Sequence, residues 1–117
     1  TLHRSGPRTV IPNCRNLLKA TGLYSDDLRA EEDLVMALDL IIHLGRHPAD
    51  PGRIVVEDLV QVLTGSLKAP WRLKSLCRYN PDRDCWDVLG APEGEYIRRL
   101  SRFAGPEEVE EVLKEWN

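Results

Sequence analysis

At 117 residues the chain is sized for one domain, and its composition, 42% hydrophobic and 30% charged with a net charge of -3, excludes wholesale disorder and low-complexity or repetitive architectures. Three cysteines, Cys14, Cys77 and Cys85, are too few and too widely spaced for a secreted disulfide scaffold. They point to a reducing, intracellular setting, cytoplasmic or nuclear. The longest apolar run, Leu34 to Leu44, falls short of the roughly 20 residues that cross a bilayer, so no membrane is expected as a partner.

The charge is segregated along the chain. Residues 1–22 carry four basic and no acidic side chains, residues 23–63 three and nine, residues 64–103 eight and five, and residues 104–117 one and five. Alternating blocks of this kind favour pairing within the fold or between molecules.

In chain order, Thr1 to Pro12 has two prolines, a glycine and no helical period, and reads as a flexible basic arm. The absence of an initiator Met suggests a domain taken from a longer protein. Asn13 is a suitable N-cap for a short helix from Cys14 to Thr21, with Leu17, Leu18 and Ala20 available for burial and Gly22 beyond its end. Ser25, Asp26 and Asp27 form a second helix start, with acids where the helix dipole favours them. The run that follows has only Asp39 and His43 as polar positions between Leu34 and Leu44. It predicts a buried central helix over about 31–44, ended by Gly45 and Pro48.

Asp50-Pro51-Gly52 has the chemistry of a turn. Beyond it, Val56, Leu59, Val60 and Leu63 fall at i, i+3, i+4 and i+7 and predict a helix to Thr64, stopped by Gly65. Pro70 suits the first turn of a helix to about Tyr79, with Leu73, Leu76 and Cys77 inward and Trp71, Lys74, Ser75 and Arg78 outward. Asn80-Pro81 starts a short fifth helix ending at Leu89-Gly90. Pro92 starts a sixth, with Tyr96, Ile97, Leu100, Phe103 and Ala104 buried and Arg98, Arg99 and Arg102 opposite. A last helix follows Gly105-Pro106, with Val109, Val112, Leu113 and Trp116 on its apolar face. The fold class expected is therefore all-α, a single compact bundle of six or seven short helices over 13–117 around the 31–44 helix.

Three constellations bear on function. His43 and His47 with Cys77 and Cys85 would supply four zinc ligands, but Gly45 interrupts the histidine pair and the cysteines lack the tight spacing of zinc sites, so no cofactor or metal is expected. Asp39 and His43, four apart on a helix, would make a carboxylate-imidazole pair, yet no Ser or Cys nucleophile stands in a recognisable elbow and no phosphate loop occurs. A small metal-dependent or Asp-His enzyme ranks last. The richest cluster is Lys68, Trp71, Arg72, Lys74, Arg78 and Tyr79, joined by Arg98, Arg99 and Arg102. Cations interleaved with aromatics serve protein hot spots and also single-stranded RNA or DNA; the acidic net charge favours the protein partner.

The number and length of these helices, with Trp86 and Leu89 and then Leu113 and Trp116, resemble the death-fold adaptor bundles over about a third of the chain. The resulting expectation is a non-enzymatic helical interaction module that associates with a protein partner or with itself through complementary charged faces, with nucleic-acid binding around Trp71 as the alternative.

Overall fold

The apolar run expected to form one helix divides at Leu38. The computed structural model describes residues 6–116. In it a helix, α2 (Asp27–Ala37), ends where Leu38 turns extended, with φ -101 and ψ 130. The chain then continues as a strand, β1 (Leu40–His47). Leu34 to Ala37 remain on the helix that Asp26 caps, its carboxylate accepting from the Leu28 N–H at 2.9 Å. Beyond Leu38, the β-branched pair Ile41 and Ile42 favours a pleated backbone, and a short apolar run has no periodicity that separates a buried strand from a buried helix.

The same correction holds through the middle of the chain. The 54–64 helix is part of a long strand, β2 (Asp50–Thr64), and the 70–79 helix is β3 (Trp71–Asn80). In place of the fifth helix stand a turn and a short strand, β4 (Cys85–Val88). The four strands form one antiparallel sheet in the order β1-β2-β3-β4. With helices before and after it, the fold is α+β, and neither an all-α bundle nor the resemblance to death-fold adaptors stands. The chain does reverse near Asp50-Pro51-Gly52, but as a strand hairpin whose turn lies at Pro48-Ala49. Between β2 and β3 the connection is tight: a Cβ on Gly65 would lie 1.8 Å from the Ala69 carbonyl oxygen, so only glycine fits.

The remaining helices agree better with the sequence. α1 (Val10–Ala20) starts a few residues early, behind a 3-10 turn at Pro7–Thr9, and so takes in part of the expected arm. Residues 1–5 of that arm lie outside the described residues; Ile11, within it, is fully buried. α3 (Glu95–Ala104) and α4 (Pro106–Lys114) stand where Pro92 and Pro106 place them, but Phe103 and Ala104, expected to be buried on α3, are exposed.

Antiparallel strands send alternate side chains to opposite faces, and each face here meets a different pair of helices. On one, Ile41, Val60 and Val62 join Ile11 of α1 and Val35 of α2 in the core cluster, with Leu34, Leu38, Trp71 and Leu73 packed around it. On the other, Leu40, Leu59 and Leu76 look toward α3 and α4. No helix among the described residues is long and apolar enough to cross a membrane.

Candidate interaction surface

A strand distributes its side chains differently from a helix, and this decides where the basic and aromatic residues of 68–79 go. Trp71 packs against the core cluster beneath α1 and α2. Arg72 and Lys74, two apart on β3, extend together from the opposite face and converge on Glu93, whose carboxylate receives Arg72 Nη2 at 2.9 Å and Lys74 Nζ at 2.7 Å. These cations hold the Glu93 carboxyl below the usual range, Lys74 contributing most. Arg78 lies beyond a register shift in the β2–β3 ladder and donates to Asp58 at 3.1 Å.

Tyr79 is buried, its hydroxyl donating to Asp84 and its ring 5.3 Å from that of Trp86 and 6.0 Å from that of His47. The Asp84 carboxylate raises the Tyr79 hydroxyl above its ordinary pKa. Lys68 is exposed in the β2–β3 connection. On α3, Arg98 pairs with Glu95 at 3.3 Å, Arg99 with Asp39, and Arg102 is exposed. Of the nine residues singled out by sequence, the structure brings Arg72 and Lys74 to one carboxylate, gives Trp71, Arg78, Tyr79, Arg98 and Arg99 separate partners, and leaves Lys68 and Arg102 exposed.

Between the sheet and the last two helices runs an apolar groove of about 340 Å³. Leu40, Leu59 and Leu76 form its floor, Ile97 and Leu100 one wall, and Val109 and Val112 the other, with Glu108 as the one acidic side chain in the lining. A polar clamp fixes the entry to this layer. Gln61, 1% exposed, donates from Nε2 to the Glu93 carbonyl at 2.7 Å and accepts the Glu93 N–H at Oε1 at 2.9 Å. The backbone of Glu93 is thus bound to β2 while its carboxylate is bound to β3. Neither Gln61 nor Glu93 was singled out by the sequence reading: the contact spans 32 residues and carries no local spacing.

Asp39 and His43 do not form the expected pair. On a strand four residues span about 13 Å, and each has its own partners. His43 faces Glu57 and Asp58, its Nδ1 3.2 Å from one carboxylate and 3.5 Å from the other. A bulge brings the two acids to one imidazole: His43 is opposite Asp58 and Leu44 is opposite Val56, so Glu57 is the inserted residue. Gly45 makes room for it, since a Cβ there would lie 2.1 Å from the Glu57 Oε1. Three donor atoms of His43, Glu57 and Asp58 lie within 4.8 Å of one another, the set among the described residues with the composition to hold a metal ion. His47, Cys77 and Cys85 of the earlier zinc constellation are not in it. Burial pushes the half-buried Cys77 thiol up.

No family model, curated protein or solved structure matches this chain.

Proposed function

We propose that this α+β chain is a non-enzymatic protein-association module. The observation that carries the reading is the apolar surface the fold leaves uncovered. Among the described residues, thirteen large hydrophobic side chains are exposed. Phe103 on α3, Met36 on α2, Leu67 in the β2–β3 connection and Leu23 between α1 and α2 all stand largely in solvent. The α3–α4 groove adds to them. Large apolar surface on a folded chain marks association sites, because covering it recovers hydrophobic free energy that folding alone has left unused.

Nucleic-acid binding is the weaker reading. Trp71 packs on the core, and Arg72, Lys74, Arg78 and Arg99 already hold carboxylates that phosphate would have to displace. An intracellular setting is supported by three cysteines without a disulfide.

Sedimentation velocity from micromolar to submillimolar concentration, paired with titration of a hydrophobic fluorescent dye, tests the association reading. The chain is expected to bind dye in its folded state and to form species larger than the monomer. A monomer with no dye binding overturns the reading.

A further inference from the structure

The two edges of the sheet are unlike. β4 is four residues long and carries Asp87, the short and charged kind of edge that resists further pairing. β1 is eight residues long, has no proline, lysine or acid, and carries no obligate charge from Leu40 to Gly45. Its strand neighbour among the described residues is β2 alone.

The hydrogen bonding shows which groups are open. Val62 N–H donates to the Asp39 carbonyl at 2.9 Å. Antiparallel ladders alternate, so Asp39, Ile41 and His43 are committed to β2, and the N–H and C=O groups of Leu40, Ile42 and Leu44 turn to the free side. The inserted residue of the bulge, Glu57, is on β2, so the alternation of β1 continues past it. Ile42 and Leu44 are 59% and 58% exposed. Among the described residues no second strand pairs with that row, although the 3-10 turn at Pro7–Thr9 lies near β1; an uncharged apolar strand presenting such a row of backbone donors and acceptors is a template for another strand.

We propose that β1 pairs antiparallel with β1 of a second copy, centred on Ile42, joining the two four-stranded sheets into one across a two-fold axis. The proposal rests on the association reading above and names its partner and surface. The sequence of β1 is self-complementary in this register. Ile42 meets its own counterpart, Leu40 meets Leu44 of the other copy on the same face, and Ile41 meets His43 on the opposite face. No like charges are brought together, and Asp39 falls opposite Gly45, next to Arg46, so the charges flanking the apolar centre are of opposite sign. A two-fold contact needs one patch that complements itself, and this strand supplies it.

Sedimentation equilibrium of the full chain and of three variants tests the pairing. Ile42→Pro removes an outward N–H without taking a bond from the β1–β2 ladder, and edge strands accept proline at such positions. Ile42→Lys places two like charges opposite each other at the axis. Val88→Lys alters an exposed apolar residue of the opposite edge strand, outside the proposed contact. The wild type and Val88→Lys are expected to be dimers, and both Ile42 variants, with unchanged circular dichroism, to associate roughly tenfold or more weakly.

Ile42→Cys supplies a reading independent of those folds. A hydrogen-bonded antiparallel pair holds its Cα atoms about 5.5 Å apart, inside the range a disulfide spans. Mild oxidation should therefore give a covalent dimer that the parent chain, with Cys14, Cys77 and Cys85 intact, does not give. A dimer that survives both Ile42→Pro and Ile42→Lys overturns the pairing and leaves the association reading standing. A wild type monomeric throughout overturns the pairing, and dye binding then decides the broader reading: bound dye keeps it, and its absence removes both.

Discussion

The two faces of the sheet are covered by different means. Beneath α1 and α2 the contact is apolar and closed: Ile11 is 0% exposed, and Val35, Ile41, Val60 and Val62 surround it. Beneath α3 and α4 the contact is anchored by polar groups at one end, where Gln61 and Glu93 meet, and open along its length as the groove. An apolar core derives its stability from area and close packing, so it tolerates little loss of volume. A layer held by a clamp depends on a few directional bonds and can keep apolar surface available to something else. The difference predicts that the α1–α2 face carries global stability and the α3–α4 face carries local order.

The largest expected effect follows from that division. Ile11→Ala removes buried volume from the closed face and should lower the free energy of unfolding by about 3 kcal/mol. For a chain of this size that is a large fraction of the total. Leu100→Ala, in the groove wall, removes a side chain that already borders open space and should cost about 1 kcal/mol. Urea denaturation followed by circular dichroism measures both. Equal losses would mean that the two faces are packed alike.

The positions of the helices were legible in outline, but the end of α2 at Ala37 and the whole of the sheet were not. α3 and α4 are amphipathic and follow prolines at Pro92 and Pro106, and Asp26 caps α2 as its residue type suggests. The strands lie between two helical layers, so both of their faces take apolar residues and the alternation that marks a half-buried strand is lost. In β2, Val56, Leu59, Val60 and Leu63 match a helical period although Val60 and Val62 share one face of the sheet. With the strands read as helices, Trp71 was grouped with Lys74 and Arg78, where the sheet groups Arg72 with Lys74 and sends Trp71 to the core. Local spacing also does not encode long-range partners: Glu93 lies 21 residues from Arg72, and Glu57 reaches the imidazole of His43 only because of a bulge.

An intermediate effect should come from the clamp. Gln61→Leu keeps the approximate volume and leaves the N–H and C=O of Glu93 without their partners at a half-buried position. A cost of about 2 kcal/mol is expected, confined to one layer. Amide hydrogen exchange should quicken through α3 and α4 while α1, α2 and the strands beneath them keep their protection. Faster exchange throughout would show that the clamp supports the whole fold.

The smallest effect concerns the charge at the same residue. Lys74 and, after it, Arg72 hold the Glu93 carboxyl below its ordinary value, so the folded state binds this proton less readily than the unfolded chain. The stabilisation is present above the unfolded pKa of about 4.3 and is lost as the pH falls through the lower folded value. Glu93→Gln cannot titrate and should leave a shallower loss of stability between about pH 5 and pH 3. The slope should not vanish, because Asp84 is also held low, by the Tyr79 hydroxyl and by Arg53, at the other end of β3. Glu93→Gln keeps the backbone that Gln61 grips, so exchange in α3 and α4 at neutral pH should change far less than in Gln61→Leu. An unchanged pH slope would mean that Glu93 acts on this layer through its backbone alone, and that its two cations are free for another anion.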